Sequence, residues 1–517
     1  VPVPVPSRPR SYPGRVPDDE PVPHRGREPE HVDVLVVGAG LSGIGAACHL
    51  TTRCPGRTVA ILEARDAIGG TWDLFRYPGV RSDSDMHTLG YAFRPWRDPK
   101  PIADGPAILR YVVETAREYG VDRLVRFGHR VERARWSSAD ARWTVHVRRT
   151  VPGDQGVDSH GSTQILTCSF LYVCSGYYRY DAGYTPDLPG IEEFTGRVVH
   201  PQHWPADLDC SGRRVVVVGS GATAVTLVPA LAETAAHVTM LQRSPTWILA
   251  LPGGDPLADA ARRLLPERAA TSAVRWKNIL TAQLTYRLSR SAPGVMRSLL
   301  LRGVRARLPE GYDVATHFTP RYAPWDQRLC LVPDGDLFRA IRSGTASVVT
   351  DTIDSFTPDG VRTTSGTVVP ADVLVTATGL AVLAVGGIEL EVDGQPVRVP
   401  DTVAYKGMML SGVPNLAFTI GYTNASWTLK ADLVAQYVCR LLDHLTASGR
   451  RYVVPLEPAS GRRGPLLDLT SGYVRRGLQL MPQQGDRVPW RLHQSYLRDV
   501  RMFRRGRLED AGVRFVR

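Results

Sequence analysis

Two glycine-rich turns, each entered from a short apolar strand and leaving into a helix, predict an α/β fold of two dinucleotide-binding, Rossmann-like domains. Two strands that end in small-residue turns bracket the second domain and predict that it is inserted in the first. An apolar, arginine-rich stretch adds an α-helical insertion. The length, 517 residues with 43% hydrophobic, suits several domains rather than one core.

The first unit runs from the strand Val32 to Val37 into Gly38-Ala39-Gly40-Leu41-Ser42-Gly43, then the helix Ile44 to Leu50 and the strand Thr58 to Leu62, closing on Glu63. Glycines Gly38, Gly40 and Gly43 let the backbone turn tightly and approach a pyrophosphate, which the helix N-terminus near Ser42 attracts through free N–H groups. Glu63 stands where an acid accepts from a ribose hydroxyl. Alternating stretches at Arg130 to Trp136, Arg142 to Val147 and Gln164 to Cys174 then predict an antiparallel meander, with Val131 expected at the cofactor and residues 151–161 as its hairpin loop.

The second unit follows Arg214: Val215 to Val218, then Gly219-Ser220-Gly221-Ala222-Thr223-Ala224, a helix continuing through Val225 to Leu231, and the strand His237 to Leu241. This strand ends on Gln242-Arg243-Ser244, without an acid. An acid repels a 2′-phosphate, whereas Arg243 pairs with it through a planar fork. The contrast assigns FAD to the first unit and NADPH to the second.

Between residues 261 and 307 eleven basic side chains, Arg262 to Arg307, face only Glu267, and the apolar positions recur at helical spacing. The stretch reads either as a lid that touches an anionic membrane or as the solvated face of a helical insertion. Asp372 to Gly379 returns the chain to the first domain, where Leu416 to Ile420 and a helix through Leu442 follow. The expected organisation is a disordered Pro-rich lead-in over 1–30, FAD-binding segments over 31–190 and 369–450, a linker over 191–212, and the NADPH-binding domain over 213–368 with its insertion near 252–318. Residues 451–517 have no assignable role.

The net charge is +12, but it is concentrated in that one stretch, which disfavours nucleic acid as a partner. Seven scattered cysteines include no C-x-x-C pair to suggest zinc ligands or a redox dithiol, so no metal is expected and a cytoplasmic location fits, with membrane association open.

The linker reads F-x-G-x-x-x-H-x-x-x-W-P: Phe194, Gly196, His200, Trp204 and Pro205. It resembles the fingerprint of type I Baeyer-Villiger monooxygenases, and the strings GGTWDLFRYPG, RSDSDM and PWDQRLC extend the resemblance from Val32 to the C-terminal end. The resemblance implies that Gly70, Thr71, Trp72, Asp73 and Leu74, with Arg81, Ser82 and Asp83, contact FAD, and that Arg328 is the active-site arginine, oriented by Asp83. It implies oxidation of linear or aromatic ketones to esters or lactones by a flavin peroxide, from NADPH and O2, with S-oxidation of thioethers and thioamides beside it. His200 is expected to act in a hinge rather than as an acid or base. One departure stands out: the family's arginine follows a lysine and precedes a proline, whereas Arg328 lies between Gln327 and Leu329. The rival readings are an N- or S-oxygenating flavin monooxygenase without ketone activity, and a non-catalytic flavin-binding module that docks on membranes. The oligomeric state is open.

Overall fold

A computed structural model describes residues 28–150 and 162–517. Most of the lead-in and the loop at 151–161 lie outside the described residues.

The valine-rich segment Glu30–Val37 forms β1, followed by α1 (Leu41–Arg53) and β2 (Val59–Leu62). Short β3 (Val125–Arg126) precedes β4 (His129–Ser137), β5 (Arg142–Arg149) and β6 (Thr163–Val173). The meander is antiparallel as the alternation predicts. It is not a separate layer: β6 also pairs in parallel with β1, so meander and nucleotide strands form one continuous sheet. Indoles of Trp136 and Trp143 pack at its centre, 5.5 Å between centroids.

The second sheet is wholly parallel. It takes β7 (Arg197–Val199), β8 (Arg214–Val218), β9 (His237–Gln242), β10 (Ala346–Thr350) and β11 (Val373–Thr376) in the order β10-β9-β8-β11-β7, with α2 (Ala222–Leu231) following β8. The sequence places the fingerprint segment outside both units, yet three of its residues are the edge strand of this sheet, Arg197 to Val199 against Val373 to Val375. Such a short edge strand has no periodicity to read. Between β9 and β10 the basic stretch folds as three helices, α3 (Pro256–Leu264), α4 (Glu267–Ser291) and α5 (Pro293–Arg305).

After β11 the chain rejoins the first sheet through β12 (Glu389–Val392), which pairs with β4, and through β13 (Leu416–Phe418), which pairs with β6. The long α6 (Trp427–Ala447) packs against α1. Gly45 makes that region close: a Cβ there would stand 2.7 Å from the Tyr91 ring.

The terminal segment is structural. It supplies α7 (Gly472–Gly477), α8 (Tyr496–Arg505) and a last strand, Val513–Val516, paired with Tyr452–Pro455. Helix α8 closes the core beside α6, where Phe503 meets the Tyr437 ring edge-on at 5.5 Å. The buried Lys430 ammonium is neutralised there by Asp499 at 2.7 Å, which also accepts from the Tyr422 hydroxyl at 2.7 Å. Removing one member of such a buried pair strands the other charge, so the terminal segment and α6 are held together by charge as well as packing.

Phe503 is fully buried. Phe503→Ala is expected to cost about 3–5 kcal/mol of stability, read as a clear fall in melting temperature; an unchanged melting temperature would show that the terminal segment is not part of the cooperative core.

Candidate active site

Both nucleotide turns are built on the same close approach. Gly38, at φ +101°, lies against the end of β6, where a Cβ would come within 2.8 Å of the Cys174 carbonyl oxygen. Gly219, at φ +132°, lies against the Ala377 carbonyl at the end of β11, closer still. Neither α1, capped by Gly40, nor α2, capped by Gly221, has a side chain on its first N–H groups, so both helices present free donors. Glu63 closes β2 with its carboxylate fixed by the amides of Ala39 (2.7 Å) and Arg65 (2.9 Å), and burial pushes its pKa up.

The two turns open on one cavity of about 690 Å³. Of the residues expected at the cofactors, Gly38, Gly40, Ser42, Glu63, Val131 and the stretches Gly70 to Trp72 and Arg81 to Asp83 line it from the first unit. From the second come Gly219 to Thr223, Val225 and Arg243. Five stand off the wall. Gly43 faces back onto the Gly38 carbonyl. Asp73 is buried between Arg65 (2.5 Å) and Arg76 (2.6 Å), and Leu74 follows it on the same short helix. Ala224 is in the second core, and Ser244 contributes its carbonyl to the Ser220 hydroxyl at 2.8 Å.

Arg328 and Asp83, 245 residues apart in sequence, form an ion pair at this cavity. Asp85, the other acid in the string, is occupied elsewhere: it caps a short helix through the Thr88 amide at 3.0 Å and accepts from Asn278 at 2.8 Å. Asp83 raises the Arg328 pKa further, against the effect of burial, so the guanidinium is a permanent cation. Its Nε is buried without a hydrogen-bond partner among the described residues. Burial pushes the neighbouring Tyr177, Tyr178 and Tyr473 hydroxyls well above their usual range. The Cys330 thiol is held neutral, pushed up to about 12.

Sequence reasoning missed several wall residues. Tyr177 and Tyr178 follow the turn after β6, hydroxyls 3.2 Å apart, and the GYY string was a readable signal. Ser471, whose buried hydroxyl has no partner among the described residues, Tyr473 and Arg476 come from the terminal segment, which carried no such signal. Trp427 opens α6 at the wall and donates from its indole to the Ser42 hydroxyl at 2.6 Å, joining the starts of α1 and α6.

None of the five fingerprint residues lines the cavity. Phe194 is buried beside Val216 and Leu374, and Gly196 abuts its ring. Trp204 packs on the second core, with Pro205 following it. His200 Nδ1 accepts from the Gln202 amide (3.2 Å), so Nε2–H donates to the Gly379 carbonyl (3.1 Å). Gln202 in turn donates to the carbonyls of Arg179 (2.9 Å) and Tyr180 (3.1 Å). The segment thereby ties the chain after β6 to the chain after β11.

Comparison with known proteins agrees with this architecture. The family model described as an NAD(P)-binding Rossmann-like domain matches residues 36–98, and that of flavin-binding monooxygenase-like proteins matches 107–256. The structure titled oxidized steroid monooxygenase bound to NADP superposes with a TM-score of 0.72 at 23% identity, covering 94% of this chain and 99% of that one, which shows a shared fold. The FAD-containing monooxygenase EthA of Mycobacterium tuberculosis is 56% identical over 490 residues, 94% of this chain and 98% of the relative. The putative FAD-containing monooxygenase MymA of the same organism is 50% identical over 494 residues, again 94% and 98%. The chain belongs to the FAD-containing monooxygenases.

Burial lowers the His200 pKa, so the folded state disfavours its protonation. An unfolded chain binds that proton near the ordinary value of about 6.5. Stability is therefore complete above that pH and falls as pH drops towards the lowered folded value. His200→Gln should flatten this part of the melting temperature against pH curve; an unaltered slope would show that His200 is protonated without penalty.

Proposed function

We propose that the protein is an NADPH- and O2-dependent monooxygenase that converts linear or aromatic ketones to esters or lactones, with oxidation of thioethers and thioamides at sulfur as a side activity. The observation that carries this reading is the Arg328–Asp83 pair at a cavity shared by two nucleotide turns. The wall suits two phosphate-linked dinucleotides. Besides the free helix donors, Arg130, Arg243 and Arg476 line it with no carboxylate or hydrogen-bond partner for their guanidinium groups among the described residues. FAD fits the first turn with Glu63 at its ribose, and NADPH fits the second with Arg243 at its 2′-phosphate.

When bound, the flavin supplies the activated oxygen, drawing on NADPH and O2. The chain's own residues do the rest. Arg328 offers N–H donors to the substrate carbonyl oxygen and stabilises the negative charge that develops there; as a permanent cation it does so without giving up a proton. Asp83 orients the guanidinium and balances its charge. Arg328 and Asp83 are 30% and 40% exposed at the open cavity wall, so bound cofactors and substrate are what would exclude water from the pair and strengthen both interactions. His200, held neutral in the brace between the two strand exits, serves the relative movement of the two units rather than proton transfer.

We also assign the helical insertion a peripheral contact with an anionic lipid surface. Leu257, Leu264, Leu280, Leu284, Val295 and Leu299 are exposed on α3 to α5, which together with Leu265 and Trp276 hold more than half of the exposed large apolar side chains among the described residues. Arginines 262, 263, 287, 302 and 305 stand among them. Among the described residues no helix is long and apolar enough to cross a membrane.

Supplied with NADPH, O2 and a 2-alkanone, the purified yellow protein should release the ester, detected by gas chromatography; NADPH consumption that yields only hydrogen peroxide would refute the ketone reading. Arg328→Ala should keep flavin reduction by NADPH while ester formation falls at least about a hundredfold, and retained ester formation would remove Arg328 from its role. In sedimentation assays the protein should follow vesicles containing phosphatidylglycerol and detach as salt screens the charge. Leu264→Glu with Leu284→Glu should abolish the association, and failure of the unaltered protein to sediment would eliminate the lipid contact.

A further inference from the structure

In the second sheet the chain leaves β8 towards β9 on one side, while β11 lies on the other. The crevice beyond the carboxyl ends of β8 and β11 is thus the point where strand order reverses, which is where open α/β sheets hold their ligands. The β8 side of this crevice is the glycine turn at Gly219. The β11 side is the exit Ala377 to Gly379, and its surroundings come largely from the terminal segment.

The Arg476 guanidinium, on α7, lies over the Tyr184 ring with Cζ 3.3 Å from the ring centroid. Tyr184 is itself anchored to the exit: its amide donates to the Gly379 carbonyl at 3.1 Å, and its carbonyl accepts from the Thr378 hydroxyl at 2.6 Å. At Gly379, φ +118°, a Cβ would meet Arg476 Nη2 first, at 3.4 Å, so the guanidinium covers the end of β11. It lines the cavity and makes no hydrogen bond or ion pair among the described residues. A cation stacked in a fixed place at the cavity wall, with all its N–H donors unspent, is prepared for an anion.

Its place along the crevice selects which anion. Arg243 directly follows β9, on the far side of β8 from β11, where the 2′-phosphate of the adenylate belongs. Tyr473, one helical turn before Arg476 on α7, lies beside Tyr178, ring centroids 6.5 Å apart, and next to Arg328. The order from β9 inward is therefore Arg243, then Arg476, then Tyr473 and Arg328.

We infer that Arg476 binds a pyrophosphate oxygen on the nicotinamide side of the bound NADPH, and that this contact fixes α7 so that Tyr473 closes over Arg328. The inference rests on the NADPH reading above. It also supplies, from the opposite end of the chain, a cation that the segment around Gln327 lacks.

The test titrates NADP+ into the full-length, FAD-loaded protein and follows the flavin absorbance change, with adenosine 2′,5′-bisphosphate as a competing fragment that retains the adenylate phosphates alone. Arg476→Ala should raise the Kd for NADP+ about tenfold or more, leave bound FAD unchanged, and leave affinity for the fragment within a factor of about two; Arg476→Lys should recover part of the loss, which a purely structural role for the arginine would not predict. Arg243→Ala, by contrast, should weaken NADP+ and the fragment together. An NADP+ affinity unchanged in Arg476→Ala would overturn the inference, as would equal weakening of NADP+ and fragment. If the unaltered protein binds neither, the NADPH reading itself falls, and the assignment of Arg476 with it.

Discussion

The whole arrangement depends on two main-chain contacts that leave no room for a side chain: Gly38 against the Cys174 carbonyl, and Gly219 against the Ala377 carbonyl. Each sets the start of a helix directly beside the exit of a neighbouring strand. Free amide donors and a turn of small residues are thereby brought to the same edge of the sheet. A side chain at either glycine would push helix and strand exit apart, and the loss would be felt by every group the edge carries. Because both sheets use the same contact, the two edges face one cavity, and the fingerprint segment needs only His200 and Gln202 to tie one exit to the other.

Charge is distributed around that edge with economy. Arg81 is neutralised by Asp336 and Arg328 by Asp83, so these cations are fixed in direction as well as in place. The remaining wall arginines have no acid partner among the described residues. These guanidinium groups are exposed at the open wall and stay solvated until an anion arrives, and a site holding several is matched to phosphate-bearing ligands rather than to neutral ones. The stretch of wall formed by tyrosines and Trp427 is correspondingly distinct from the stretches that carry the unpaired arginines.

Much of this was legible in the sequence because it depends on local pattern. Strand, glycine turn and helix follow one another without interruption at Val32 to Leu50 and at Val215 to Leu231, and the period of apolar residues gives α3 to α5 directly. What escaped depends on distant pairing. Nothing near Gln164 to Cys174 says that its third strand will lie beside β1, and nothing near Arg197 says that it will join β11. Choosing Asp83 over Asp85 needed only a capping argument, since Asp85 precedes Thr88 by the three residues a helix start requires. The terminal residues were unreadable for a different reason: α7 is six residues long, and its value comes from Tyr473 and Arg476 meeting partners some three hundred residues earlier.

The cavity wall begins at Val37 and ends at Arg476. A chain growing from its N-terminus on the ribosome completes the Gly38 turn once Cys174 is made, while the Gly219 turn waits for Ala377 and the wall waits for Arg476. The nascent protein is thus able to acquire its first nucleotide-binding edge long before the cavity that both turns share has its full wall. Order of synthesis therefore holds back a complete cavity until nearly the last tenth of the chain has emerged.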